Sequence, residues 1–235
     1  MNRTSARSIL IALLFPLTAV AASAAAPYDP KVAFAPQPLP EPVNRYRSAN
    51  GAPGPDYWQN RVDYDIKAKI DVAAKVLTAA EVVTYTNNSP DALPSLWLQL
   101  DQNIYRQDSR AAIVGGGRRG RAAGTYSEGD TIEAVEVLRG KAWVKVPFAI
   151  SDTRMNIRLD QPLTGHGTKL KFRIAYHYTI PGVWGGRTSW VDTKNGPIFD
   201  IAQWFPRMAV YDDIRGWDTQ PFLGSEFYLE YGDID

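Results

Sequence analysis

The sequence predicts an all-β fold, a saddle-like multi-stranded antiparallel sandwich, and three observations carry the prediction. Apolar and polar residues alternate with a period of two in segment after segment. Clusters of Asn, Ser, Pro and Gly separate those segments. No stretch carries the 3.6-residue period of a long amphipathic helix, and no internal repeat is visible.

Taken in order, "RVDYDIKAKIDV" places Val62, Tyr64, Ile66, Ala68, Ile70 and Val72 on one face and Arg61, Asp63, Asp65, Lys67, Lys69 and Asp71 on the other. That is a strand with one wet face. "EVVTYTNNSP" follows and ends in a turn cluster, so the two read as a long hairpin. Further strands are expected at 95–100, 130–138, 154–159 and 168–180. In the last, Leu170, Phe172, Ile174, Tyr176 and Tyr178 face inward, with Lys169, Lys171, Arg173 and His177 opposite. "DQNIYRQDS" is the best helical candidate, and it is short. The closing "SEFYLEYGDID" alternates Phe227, Leu229 and Tyr231 with Glu226, Tyr228 and Glu230, a strand pattern that runs on to the last residue.

At the other end, Arg3 and Arg7 lead into an uncharged apolar run from Ile9 to Val20 and then into "AASAAAP". This reads as a secretory signal peptide over 1–26, with export to a periplasm expected. An uncleaved anchor is the alternative; the run is short for spanning and Pro16 interrupts it. Between Pro27 and Pro55 stand eight of the 17 prolines, so 27–55 reads as an extended arm and 56–235 as one domain.

Charge and cysteine content exclude several function classes. Taking Arg3 and Arg7 from the 26 basic residues leaves 24 against 25 acidic ones, without the basic excess of a nucleic-acid binder. With no cysteine, no disulfide can hold the fold. His166 and His177 lie in different local settings, so neither a zinc site nor a catalytic triad is expected in this chain. The Gly- and Arg-rich stretch 109–127 lacks the Gly-Lys-Ser/Thr ending of a phosphate loop and reads as a surface insertion. Asp212 and Asp213 are adjacent on an extended backbone that points them apart, as ordinary turn residues. The aromatic clusters around Trp184, Trp190, Trp204 and Trp217 suit packing better than a sugar-binding platform, because several rings alternate in phase with strands.

Two stretches carry a resemblance. "QWFPRMAVYDD" with "GW" and "EFYLEYGDID" after it, and more generically the segment from "YWQNRVDYDIKAKIDV" to "LWLQLDQNIY", resemble the N-terminal β domain of exported bacterial members of the aminopeptidase N-type (gluzincin) zinc metallopeptidases. The resemblance covers most of 57–235. It implies a saddle-shaped β domain that is itself non-catalytic and forms one wall of the substrate cleft. Zinc, a His-Glu-x-x-His helix and a Gly-x-Met-Glu-Asn strand would belong to a downstream catalytic domain of the same polypeptide. None of those motifs occurs here, so the chain is expected to be a fragment without a metal site or catalytic residue of its own. The resemblance implies one substrate-binding residue, Gln203 in "IAQWFPR", whose side-chain oxygen would accept a hydrogen bond from the free N-terminus of a peptide. A buried glutamine that satisfies backbone groups at a sharp strand end is the other reading of Gln203. A self-sufficient periplasmic binding module with an aromatic surface is the alternative function.

Overall fold

A computed structural model describes residues 44–114, 126–182 and 187–235. The expected signal peptide, most of the Pro-rich arm, Trp184 and the centre of the Gly/Arg-rich stretch lie outside the described residues.

The long hairpin forms as the alternation predicts, with β1 at Arg61–Asp71 and β2 at Val76–Asn87. Asp71 Oδ1 closes the turn between them by accepting the Ala73 and Ala74 N–H groups. β3 (Leu93–Gln99) leads into a 3-10 helix (Asp101–Tyr105) and a one-turn α1 (Arg110–Val114). Then come β4 (Thr131–Arg139), β5 (Ala142–Lys145), β6 (Phe148–Ser151), β7 (Arg154–Leu163) and β8 (Thr168–Thr179). A second hairpin, β9 (Thr188–Thr193) with β10 (Gly196–Ile201), precedes three two-residue strands: β11 (Arg207–Met208), β12 (Tyr211–Asp212) and β13 (Gly216–Trp217).

Among the described residues two large antiparallel sheets result, one in the order β1-β2-β8-β4-β5 and one in the order β11-β3-β7-β6, beside the two-stranded β9–β10 and β12–β13 pairs. Their inward rows meet in one cluster: Tyr85, Phe172, Ile174 and Tyr176 from the first sheet, Leu96, Leu98, Met155 and Ile157 from the second. The chain passes between these sheets from β2 to β3, β3 to β4, β5 to β6, β7 to β8 and, by way of the β9–β10 hairpin, β8 to β11. Pro147, which cannot donate to a ladder, separates β5 in one sheet from β6 in the other. The β2–β3 and β7–β8 turns are stapled together by the buried Asn87, whose Nδ2 donates to Asp91 O, Leu163 O and Thr164 O.

Three details differ from the sequence reading. Along β1 the core ends at Ile66, and Ile70 and Val72 are exposed, because β1 is an outer strand of its sheet. β5, β6, β9 and β10 were not expected; they are short and broken up by Gly, Pro and Asn. The closing segment does not bury Leu229 and Tyr231, which are 58% and 67% exposed. It attaches through its backbone, running parallel to β1: Val62, Tyr64 and Ile66 donate N–H bonds to Tyr231, Asp233 and Asp235 carbonyls, and the Asp235 N–H returns one to Tyr64 O.

Residues 44–55, the described part of the arm, are not free of the body. Arg47 Nε lies 2.8 Å from Asp213 Oδ2, and Arg47 pairs with Pro53 in a β-bridge.

Candidate functional site

Immediately after β3 the chain turns into the 3-10 helix, and all five of its residues, Asp101–Tyr105, are buried. Two of them organise everything around Gln203. Gln102 Nε2 donates to Ala202 O at 2.8 Å and Gln203 O at 2.9 Å, with Thr188 Oγ1 at 3.2 Å. Tyr105 Oη accepts the Thr188 N–H at 2.9 Å. The base of the β9–β10 hairpin is thus pinned to the helix by side chains, which a pattern of apolar alternation cannot register.

Held in this way, Gln203 has a φ of +48°, a left-handed conformation rare for a residue with a Cβ. Among the described residues nothing bonds its side-chain amide; only its backbone carbonyl is engaged. It borders a cavity of about 190 Å3 whose floor is the 3-10 helix and whose far wall is the 222–227 segment. The wall is aromatic: Phe222 and Phe227 lie 4.8 Å apart, and the guanidinium groups of Arg187 and Arg207 lie 5.4 and 5.2 Å from the Phe227 ring. Glu226 and Arg187 are exposed at its edge.

Behind the floor sits a buried ion pair. Arg207 Nε is 2.6 Å from Asp101 Oδ2 and its Nη2 is 3.3 Å from Oδ1, while Nη1 donates to Tyr228 O at 3.0 Å. Burial pushes the Asp101 carboxyl up from its ordinary range, and the Arg207 charge and its hydrogen bonds pull in the opposite direction. The guanidinium thus joins β11 to both the helix and the closing segment, so that the cavity floor and its far wall share one anchor.

Of the sequence-derived candidates, only Gln203 stands at this cavity. The structural duty considered for it, satisfying backbone groups at a strand end, is performed by Gln102. A signal for Gln102 existed: it belongs to the polar run Asp101-Gln102-Asn103 that follows the apolar "LWLQL", where the chain has to turn. His177 bonds Glu133 at 2.8 Å on the wet face of β8, and His166 is exposed in the β7–β8 turn. Among the described residues no three His, Asp or Glu side chains converge as metal ligands. Asp212 Oδ1 accepts the Ile214 and Arg215 N–H groups and Asp213 bonds Arg47, so the two carboxylates do point to different partners. Every described Trp is buried or half-buried; Trp217 stacks on Tyr85 at 5.9 Å and Trp204 meets Phe205 edge-on at 5.3 Å.

The fold and site thus define an all-β domain with a small aromatic and polar cavity. No family model and no curated protein sequence matches the chain. Among solved structures it is similar to an M1 zinc metallopeptidase from Deinococcus radiodurans, at 15% identity and a TM-score of 0.36, over 59% of this chain and 25% of that one. A mutant of the Deinococcus radiodurans enzyme bound to a Tyr-Ser-Ala substrate gives 14% identity and the same TM-score, over 59% and 26%. A two-domain M1 zinc metallopeptidase mutant bound to L-arginine gives 15% and 0.36, over 57% and 24%. The chain spans about a quarter of the length of these structures. A TM-score at this level is too low for fold or activity to be transferred.

Proposed function

We propose that this chain is the non-catalytic N-terminal β domain of an exported zinc-dependent aminopeptidase and supplies one wall of its substrate cleft. The support is the resemblance of the "QWFPRMAVYDD" and "EFYLEYGDID" stretches, and one observation carries the reading to a residue. Gln203 is held in a strained conformation at the edge of a cavity, with its amide unspent. Strain of this kind persists where surrounding structure over-determines it, as Gln102 does here. An amide oxygen accepts a bond from a peptide's terminal ammonium without adding a second buried charge.

The described residues do not fit zinc, which needs three or four converging ligands. In the proposed arrangement the metal and the water it activates belong to a downstream catalytic domain of the same polypeptide, as the resemblance implies. The proposed order is signal peptide 1–26, arm 27–55 and β domain 56–235, with a periplasmic location. A stand-alone module that binds through an aromatic surface is less well supported, because the described tryptophans are packed rather than presented.

The test is Gln203→Ala in the polypeptide that includes the catalytic domain. Losing a bond to a charged group removes about 1.5–3 kcal/mol, so kcat/KM for peptides with a free N-terminus should fall roughly ten- to a hundredfold. Zinc content and Tm should hold. An unchanged kcat/KM in a folded variant removes Gln203 from the site. Stoichiometric zinc retained by the 235-residue chain after dialysis, with chelator-sensitive peptide cleavage, would refute the non-catalytic assignment.

A further inference from the structure

On β2 the inward row reads Leu77, Ala79, Glu81, Val83, Tyr85, so one carboxyl occupies a position in the apolar face. Glu81 is 0% exposed, and neither side-chain oxygen has a hydrogen-bond partner among the described residues. It pairs across with Ile66 of β1 and Ile174 of β8. Two residues along β8 on the same face is Tyr176, opposite Ala79 and Ile132, and its buried hydroxyl is also without a partner. Asp130, just ahead of β4, is 7% exposed and leaves its buried Oδ1 unpaired. Four oxygens without partners thus gather on the inward face of the β2–β8–β4 sheet, and a buried polar atom left unmatched is costly.

Among the described residues no cation pairs with them to compensate. From β1 comes Tyr64, whose Oη accepts the Met208 N–H at 2.8 Å. From β8 come Tyr176 and Tyr178, the latter donating to Trp204 O at 3.3 Å. From the cavity floor comes the Asp101 carboxylate, already bonded to Arg207. Burial first, then the mutual repulsion of Glu81 and Asp130, raises the Glu81 carboxyl well above its ordinary range. Burial and the Asp101 charge push Asp130 up to about 8. An ionised pair cannot be accommodated here, whereas protonated carboxyls can.

Asp130 is also joined to the cavity floor. Its N–H donates to Asn103 Oδ1 at 2.8 Å, and Asn103 Nδ2 donates to Asp152 O at 2.7 Å. Gly129, at φ +69°, sits so close that a Cβ there would lie 2.3 Å from Asn103 Oδ1. The strand start and the 3-10 helix are therefore tied together through Asn103.

We propose that Glu81 and Asp130 form a proton-loaded latch beneath the cavity floor: with both carboxyls protonated the β2–β8–β4 face closes over them, and loss of the protons loosens the 127–130 segment and, through Asn103, the 3-10 helix. The latch is independent of what the cavity receives. In the unfolded chain both carboxyls titrate near pH 4, while in the folded chain they hold their protons to higher pH. The folded state therefore binds more protons between those limits, and stability is highest at acid pH and declines as pH rises toward 8.

The experiment measures Tm of the full chain from pH 5 to 8.5, together with amide hydrogen exchange across 101–105. The wild type should lose at least about 5 °C over that range, and exchange at 101–105, corrected for the intrinsic rate, should quicken. Glu81→Gln should melt higher than wild type at pH 8, with a flatter profile and no quickening of exchange. Asp130→Asn should do the same to a smaller extent. A Glu81→Gln profile parallel to or below the wild type overturns the latch, and a raised Tm with exchange still quickening overturns the coupling to the floor. Should Glu81→Gln not fold, Glu81→Met is read in its place, and failure of both to fold where the wild type folds also overturns the proposal.

Discussion

At the scale of single residues, the neighbouring glutamines 102 and 203 divide one task. Gln102 spends its Nε2 on the backbone of Ala202 and Gln203 and is 2% exposed, while Gln203 takes the strained backbone and keeps its amide unspent. Left-handed backbone costs an L-residue about 1–2 kcal/mol that glycine is spared. Gln203→Gly is therefore expected to be more stable than Gln203→Ala by about 1 kcal/mol, although both lack the amide. Chemical denaturation of the two variants checks this, and an Ala variant at least as stable as the Gly variant would mean that the native chain does not hold φ near +48°. Gln102→Ala should behave differently from either. It uncaps two backbone carbonyls and a buried Thr188 hydroxyl contact, so it should lower Tm before it touches any binding property.

At the scale of elements, the sheet junctions bear the most concentrated polar bonding. Asn87 is fully buried between the β2–β3 and β7–β8 turns; besides the two N–H groups that its Nδ2 shares among three carbonyl oxygens, its Oδ1 accepts from Ser89 Oγ at 2.6 Å. Gly165 is packed so tightly there that a Cβ would lie 2.1 Å from Ser89 O. Asn87→Ala removes every one of these bonds and should cost about 2–4 kcal/mol, since each orphaned buried acceptor costs about 1–3 kcal/mol and water can recover some of them. Urea unfolding should show the loss in the midpoint with the slope unchanged, and a loss below 1 kcal/mol would mean the turns hold without the staple. The sequence announced this region only as a turn cluster, "TNNSP". Long alternating strands such as β2 and β8 were legible because their period of two survives along 12 residues each. β5, β6, β9 and β10, at four to six residues each, are too short for a period to emerge from their neighbours. The candidate site was legible only as Gln203. Its supporting residues are polar groups whose partners lie as much as 106 positions away, as Asp101 and Arg207 do. Glu81 was visible in principle, as the one acid in phase with an apolar row, but alternation alone does not tell a buried carboxyl from the end of a strand's inward face.

At the scale of the whole molecule, the closing segment joins the sandwich to the cavity. Phe227 forms the cavity wall, and Tyr228 O bonds Arg207. Glu230, pushed up to about 7 chiefly by burial, accepts the Tyr211 N–H, and 231–235 lies along the edge of β1. That last attachment depends on Gly232: a Cβ there would stand 1.4 Å from Val62 O, which is backbone and cannot yield. Gly232→Val should therefore lift 231–235 off β1 and leave the Val62, Tyr64 and Ile66 N–H groups without their acceptors. Unpaired edge groups on a long strand recruit other chains, so the variant should associate more than the wild type, in a manner that rises with concentration. Light scattering behind size-exclusion chromatography measures the association, and hydrogen exchange at Val62, Tyr64 and Ile66 measures the exposed edge. The Phe227 wall should survive, because Arg207 holds the segment upstream through Tyr228 O. If those three amides stay protected in Gly232→Val, the segment reaches β1 by a path that does not need the close approach, and the edge is not what the closing residues guard.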